Sequence, residues 1–188
     1  MNDAFDDLAA QRGLDVRSGL SQEGLPERYA YSPDVAYRYA FGRWWGATDL
    51  AEADVWVLLN PATGDTERRR RPTLDRIVAR SRADGKAGVV VVNLFAHGHT
   101  DPKALRATAH PVGEANDDAL RLLTGRGART IAAWGAGGRL HGRSAQVAAV
   151  LKEPLCLGTT RRGEPRHPLY VPASTPLVEW PGPRSGVA

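Results

Sequence analysis

The sequence predicts a single α/β domain built in three layers, α/β/α, with a central, mostly parallel sheet of four strands. The prediction depends on the chain length, on four short apolar runs and on the helical segments between them. A chain of 188 residues with 42% hydrophobic residues can bury one core without dividing into separate domains. We therefore expect one domain over residues 28–180, preceded by a peripheral arm over 1–27 and followed by a loose tail over 181–188.

The four predicted strands are apolar without strict alternation, which is typical of central parallel strands covered on both faces. They are VWVLLN at 55–60, GVVVVN at 88–93, TIAAWG at 130–135 and EPLCLG at 153–158. An earlier segment, YRYAFGRWWG at 37–46, is expected to be an edge strand paired with the first of these four. Its aromatic rings are interpreted as core and rim packing rather than as a stacking surface.

Helical segments are predicted between successive strands, at about 73–83 with Thr73 as its cap, at 114–123 and at about 138–151. A helix between two strands of one sheet makes those strands parallel, so their carboxyl ends meet at one edge. Ligand sites of open α/β sheets lie beyond that edge. The residues that follow each strand are therefore the ones to examine for function.

The composition indicates a soluble protein of the reducing cytoplasm. The first thirty residues show no signal-peptide pattern, and no stretch approaches the roughly 20 apolar residues that cross a bilayer. The single cysteine, Cys156, excludes an intramolecular disulfide and is expected to be a small buried hydrophobic residue. His97 and His99 could begin a metal site, but no cysteine or carboxylate cluster completes the set, so no metal is expected.

Positive charge is concentrated in one short segment. The formal net charge is +4 and the isoelectric point is about 9.6, while four consecutive arginines occupy Arg68–Arg71. A polyanionic partner would explain this run, although alternate residues of an extended segment point in opposite directions, so only some can reach one phosphate strand. The other interpretation is a solvated charged loop.

Polar side chains are expected together at the carboxyl edge of the sheet. Asn60 and Asn93 end two neighbouring strands, and a carboxamide can read the edge of a base or hold a water molecule. The alternative is that each asparagine merely caps a turn. His167 lies between Arg166 and Pro168 in a loop at the same edge, where an imidazole can donate a hydrogen bond to a leaving group or be simply structural.

The order of short blocks along the chain resembles that of a small bacterial family of domains of unknown function. The resemblance extends from about Tyr37 to Pro172. The blocks are Tyr37-Arg38-Tyr39, Leu59-Asn60-Pro61-Ala62-Thr63, Arg71-Pro72-Thr73, Asn93-Leu94-Phe95-Ala96, Ala133-Trp134-Gly135 and Arg166-His167-Pro168-Leu169-Tyr170. These blocks in turn look like those of the uracil-DNA glycosylase superfamily, which implies that superfamily's fold.

The second resemblance implies roles for four blocks. Leu59-Asn60-Pro61 is similar to the first superfamily motif, whose Asn or Asp positions the attacking water. Val92-Asn93-Leu94 resembles the segment whose Asn reads a flipped-out base, and Ala133-Trp134-Gly135 resembles the third-strand Leu-Trp-Gly. His167-Pro168-Leu169 is similar to the His-Pro-Ser motif, whose His steadies the departing base and whose loop enters the minor groove.

Two departures from the superfamily pattern concern the substrate. Leu169 stands where many members have a phosphate-binding serine, and Thr63-Gly64-Asp65 does not reproduce the Tyr-His element that excludes the thymine methyl group. The resemblance therefore implies a larger, modified pyrimidine, such as the glucosylated hydroxymethylcytosine of phage DNA, which relatives in this neighbourhood excise in antiviral defence.

These inferences predict a monofunctional DNA glycosylase that hydrolyses the bond between a base and its sugar without metal or cofactor. Its partner would be double- or single-stranded DNA, with no membrane and no obligatory protein partner. The alternatives are a hydrolase of small nucleosides or nucleotides and a non-catalytic reader of modified DNA. The expected site residues are Asn60, His167 and Asp65 for catalysis; Asn93, Phe95, Pro61 and Trp134 for the base; and Arg68, Arg69, Arg70, Arg71, Lys86, Arg139, Arg143, Arg166, Leu169 and Tyr170 for DNA.

Overall fold

The structure is a computed structural model that describes residues 3–61, 71–98 and 102–183. Its strands are β1 (Asp15–Leu20), β2 (Pro26–Tyr31), β3 (Arg38–Trp44), β4 (Ala53–Leu58), β5 (Gly88–Asn93), β6 (Arg129–Ala132), β7 (Leu155–Cys156) and β8 (Val178–Glu179). Its α-helices are α1 (Ala4–Arg12), α2 (Pro72–Ala83), α3 (Pro102–Ala107), α4 (Asn116–Arg126) and α5 (Arg143–Ala148). Short 3₁₀ segments occupy Leu50–Glu52, Gly135–Gly142 and Pro168–Tyr170.

The predicted α/β class is confirmed, but the prediction of a four-stranded, mostly parallel sheet is wrong. The sheet has eight strands in the order β1-β2-β3-β5-β4-β6-β7-β8. The four predicted runs do form its parallel middle, as β5, β4, β6 and β7. Antiparallel strands extend it on both sides. Of these outer strands, β3 lies within the segment expected as an edge strand, whereas β1, β2 and β8 were not predicted. β1 is mostly exposed, and an edge strand needs no apolar run.

The expected pairing of the 37–46 segment is also wrong. β3 pairs antiparallel with β5, with Phe41 opposite Val91, and on its other side with β2. It cannot pair with β4, because β5 and β6 already occupy both edges of that strand. β3 is therefore an interior strand, and its first residue, Arg38, lies beside the carboxyl end of β5.

The segment expected as a peripheral arm is part of the domain. Asp3 caps α1 by accepting a hydrogen bond from the Phe5 N–H at 2.8 Å, and Phe5 and Leu8 are fully buried. Burying a Phe or Leu side chain stabilises a fold by about 1.5–3 kcal/mol. The pattern gave little sign of this helix, because two large apolar side chains three residues apart are a weak helical signal.

Helices cover both faces of the central strands. Val55 and Val57 of β4 face the cluster that includes the buried residues of α1 and α4, whereas Trp56 faces the cluster on α2. Alternate residues of one strand thus enter two different cores, which explains the unbroken apolar runs. Helices therefore pack against both faces of the sheet.

A buried polar network holds the amino ends of the central strands. Asp54 is fully buried and accepts hydrogen bonds from Ser81 Oγ at 2.7 Å and from Arg129 Nε at 2.9 Å. Trp56 Nε1 donates to Ser81 Oγ at 3.1 Å. The hydrogen bond to Asp54 raises the pKa of the Arg129 guanidinium above its usual value. The network lies at the end of the sheet opposite to the predicted site.

No helix in residues 3–61, 71–98 or 102–183 is long and apolar enough to span a membrane.

Candidate functional site

A cavity of about 1040 Å³ opens at the carboxyl ends of β4, β5 and β6. The chain runs from β4 outward to β5 and then returns past β4 to β6. Such a reversal of strand order leaves a crevice at the carboxyl edge, where open α/β sheets bind their ligands. Asn60, Asn93 and His167, predicted from three separate segments, all line this one cavity.

Asn93 is the last residue of β5, and its side chain is buried at the cavity floor with 1% of its surface exposed. Neither Nδ2 nor Oδ1 has a hydrogen-bond partner among the described residues. A buried polar group left unpaired costs about 1–3 kcal/mol. Native proteins keep few such groups, and each calls for an explanation. A ligand in the cavity would supply both partners.

The backbone of Asn93 is fixed from behind by two buried side chains. Asn116 Nδ2 donates to the carbonyl oxygens of Asn93 and Leu94, each at 3.0 Å. Arg143 Nε donates to the Leu94 carbonyl at 2.8 Å. Because no described residue bonds the Asn93 amide, these bonds to the backbone are what holds the residue in place. Arg143 is 3% exposed and paired with Asp117, so it is structural and not the expected DNA contact.

Asn60 follows β4 by two residues and is half-buried in the cavity wall. Its Nδ2 donates to the neighbouring Pro61 carbonyl at 3.2 Å. Pro61 itself is buried and is not part of the cavity lining, so its expected contact with a base is not supported by its position.

His167 is presented by the loop that precedes the Pro168–Tyr170 helical turn. Its Nδ1 accepts a hydrogen bond from the Leu169 N–H at 3.3 Å, so the proton of the neutral ring is on Nε2. Burial lowers the pKa of His167, which favours this neutral form at pH 7. The loop is tied to the end of β6, because the Gly135 N–H donates to the Pro165 carbonyl at 2.9 Å.

Position 135, where this hydrogen bond forms, requires a glycine because of its backbone conformation and the limited space around it. Its φ is +73°, and a Cβ added there would lie 3.3 Å from His167 Cβ. The neighbouring Trp134 supports the same wall: its Nε1 donates to buried Glu164 at 2.8 Å, and its ring meets Trp180 edge-on with centroids 4.8 Å apart. Trp134 is 2% exposed, so its main contribution to the cavity is structural.

The other predicted residues divide into two groups. Arg71, Arg166 and Tyr170 line the cavity, and Leu169 is exposed beside Tyr170. Arg139 is exposed in the Gly135–Gly142 segment. Asp65, Arg68, Arg69 and Arg70 lie outside the described residues.

Phe95 and Lys86 lie away from the cavity, contrary to expectation. Phe95 is fully buried in the core shared with α4, because the chain leaves strand geometry after Asn93 and alternation no longer applies. Lys86 precedes β5 and is therefore at the opposite end of the sheet.

Sequence analysis missed Arg38 and Phe41 of β3, as well as Arg106, Thr160 and Arg161, which also line the cavity. Arg38 is 8% exposed, and burial lowers its pKa to about 10, with nearby Arg71 acting in the same direction. The guanidinium carbons of Arg38 and Arg71 lie 5.8 and 5.7 Å from the centroid of the Phe41 ring. The sequence signal that could have indicated Arg38 is an arginine within an otherwise apolar and aromatic stretch.

A comparison with known protein families matches residues 38–169 to the family described as "Protein of unknown function (DUF1643)". The chain belongs to the DUF1643 family. The DUF1643 segment includes β3 to β7 and the cavity-lining residues from Arg38 to His167. The comparisons with curated proteins and with solved structures found no match. The predicted resemblance to a family of unknown function is thus confirmed, and the resemblance to uracil-DNA glycosylases stays a prediction.

No group of three His, Cys, Asp or Glu residues that could hold a metal ion occurs in the part of the chain that the structure describes.

Proposed function

We propose that this DUF1643 protein is a DNA glycosylase that excises a flipped-out, modified base and leaves an abasic site. The observation that carries the proposal is the convergence of Asn60, Asn93 and His167 on one cavity at the carboxyl edge of the sheet. These are the three residues to which the superfamily resemblance assigns water positioning, base reading and leaving-group stabilisation.

In the proposed reaction, water adds its oxygen to the sugar C1′ while the bond from C1′ to the base nitrogen breaks. The electron pair of that bond goes to the base, which takes up one proton of the water, and the other hydrogen of the water stays on the new C1′ hydroxyl group. Negative charge develops on the base, where His167 Nε2–H and the Asn93 amide would stabilise it. Positive charge develops on the sugar, close to the DNA phosphates.

Asn60 would orient the water rather than deprotonate it, because a carboxamide does not ionise at neutral pH. Asp65, outside the described residues, is the proposed helper for this step. Extruding the base from the helix costs a few kcal/mol, which contacts in the cavity and to phosphates offset.

The cavity volume supports a bulky substrate. Pockets for drug-sized ligands occupy about 300–1,000 Å³, and this cavity, at about 1040 Å³, lies just above that range. An unmodified pyrimidine would leave much of it empty. A pyrimidine that carries a sugar, such as the glucosylated hydroxymethylcytosine of phage DNA, fits the volume better, which favours a role in antiviral defence.

The proposal is tested with DNA that carries uracil, hydroxymethylcytosine or glucosylated hydroxymethylcytosine, and with unmodified DNA. Alkali-sensitive abasic sites and released base, detected by mass spectrometry, are expected for one modified substrate. Asn60→Ala and His167→Ala should abolish release while the protein still folds and binds DNA. Intact modified DNA together with tight, selective binding would instead identify a reader of modified bases.

A second function, hydrolysis of small nucleotides, is favoured by the arginines of the cavity lining, which could hold the phosphate of a free nucleotide. Turnover of a mononucleotide should depend weakly on salt, whereas activity on DNA held by several arginines should fall steeply as salt rises. Release of base from deoxynucleoside monophosphates at high salt, with none from DNA, would favour this second function.

A further inference from the structure

Eight arginines outside the cavity are paired with carboxylates, whereas others, such as Arg80 and Arg82, donate to carbonyl groups or lie over an aromatic ring. Arg43, for example, is paired with buried Glu27, and Arg129 with Asp54 and Asp84. Six others on the strands and helices show the same pairing: Arg12, Arg17, Arg28, Arg121, Arg126 and Arg143.

Four arginines of the cavity lining differ from these eight. Arg71, Arg106, Arg161 and Arg166 form no ion pair with a carboxylate in residues 3–61, 71–98 and 102–183, and no described Asp or Glu lines the cavity. Arg166 Nε donates to the Thr159 carbonyl at 3.1 Å, and Arg71 lies over Phe41. Cationic groups gathered around one cavity repel each other, and a bound anion removes that cost.

The four arginines come from both sides of the carboxyl edge. Arg71 immediately precedes α2 and Arg106 lies on α3, in the connections that follow β4 and β5. Arg161 and Arg166 follow β7, two strands away across the sheet from β4. Arginines on both sides of the edge can bind successive phosphates of one strand.

We propose that Arg71, Arg106, Arg161 and Arg166 form a phosphate-binding rim, which holds the phosphates on both sides of the nucleotide that enters the cavity. The guanidinium group suits this task, because it stays charged and offers donors in a fork that matches phosphate oxygens. The identity of the bound nucleotide rests on the proposed function, but binding of the strand does not.

The test measures binding of a fluorescent, unmodified single-stranded oligonucleotide over a range of salt concentrations. Arg106→Gln and Arg161→Gln should each reduce the slope of log affinity against log salt by about 0.7, and the double variant by about twice that. Arg82→Gln is the matched control, since Arg82 lies over Trp45 at 4.8 Å and away from the cavity, and the substitution removes the same charge. A double variant with the slope of the control would overturn the rim.

Binding of deoxycytidine monophosphate distinguishes a site for the phosphate of a free nucleotide from a site for the phosphates of a strand. The mononucleotide should bind far more weakly than the oligonucleotide and lose less affinity in the double variant. Equal affinity for the mononucleotide, with equal sensitivity to both substitutions, would overturn the strand-bridging arrangement. A reduced salt slope in the variants, without base release from any DNA, would support the rim and contradict the glycosylase proposal. Base release with an unchanged salt slope would overturn the rim alone.

Discussion

Asn93 combines full burial with an amide that no described residue pairs, whereas Asn116 is equally buried and donates to two carbonyl groups. The two residues are of one type and lie in adjacent elements, but both side-chain polar atoms of Asn93 lack a partner among the described residues, whereas Asn116 lacks one only at Oδ1. We therefore interpret Asn93 as a residue kept for its ligand at a cost in stability, and Asn116 as one kept for the fold.

Asn93→Leu should raise the free energy of unfolding by about 1–3 kcal/mol, because an apolar side chain of similar size removes the unpaired amide. The same substitution should eliminate recognition of the base. Asn116→Leu is the control and should lower stability, since it deprives two buried carbonyl groups of their donor. Urea denaturation and base release measure the two effects. Destabilisation by Asn93→Leu would contradict this interpretation.

The pH dependence of base release should report the burial of His167. Burial lowers the pKa of His167, so the neutral donor persists below the usual imidazole pKa of about 6.5. As pH falls below that value, the unfolded chain takes up a proton that folded His167 resists. The fold is therefore unaffected above about pH 6.5 and loses stability as pH falls further.

The rate of base release, measured from about pH 4.5 to pH 8, should begin to fall only below about pH 6.5. His167→Gln should remove this fall at acid pH together with most of the activity. A midpoint above 6.5 in the wild-type protein would mean that the imidazole is not desolvated during catalysis.

At the scale of elements, the connection from β6 to the His167 loop depends on a glycine that packs directly against the histidine. Gly135→Ala places an L residue in the left-handed region at a cost of about 1–2 kcal/mol and brings its Cβ to 3.3 Å from His167 Cβ. We expect a modest fall in melting temperature and a much larger fall in base release.

Gly142→Ala provides the matched control for this prediction. Gly142 has a similar φ of +67°, but an added Cβ would meet no atom within 4 Å. It should therefore cost similar stability and leave activity near that of the wild type. Equal losses of activity in the two variants would show that strain alone, and not displacement of His167, is responsible.

The sequence predicted the central strands well because two-sided burial leaves a clear apolar run. It did not predict β1, whose exposed residues follow no pattern, or β8, which has two residues. Asn60, Asn93 and His167 were predictable from their places after strands. Phe95 and Arg143 were not placed correctly, because the bend after Asn93 and the burial of an arginine against Asp117 depend on tertiary contacts.

At the scale of the whole molecule, the two ends of the sheet have different tasks. The amino ends are joined by fully satisfied buried polar groups around Asp54, and the carboxyl ends carry the cavity with its unpaired amide. Stability and ligand recognition are therefore separated along the strands.

Ser81→Ala should test this separation. It leaves Trp56 Nε1 without its acceptor and removes a donor from Asp54, so we expect a loss of about 1–3 kcal/mol in the free energy of unfolding. Base release, measured at a temperature where the variant is folded, should stay within twofold of the wild type. A large loss of activity would show that the two ends are coupled through β4.

The residues outside the family segment 38–169 contribute to the same core. Phe5 of α1 meets the Trp44 ring edge-on at 6.0 Å, β2 covers the outer edge of β3, and Trp180 packs against Trp134 in the cavity wall. A fragment trimmed to the shared segment would expose an unpaired strand edge, which invites aggregation, and would leave the cavity wall unsupported. We therefore expect the smallest piece able to fold to be larger than the family segment 38–169, and expression boundaries should follow the ends of the sheet.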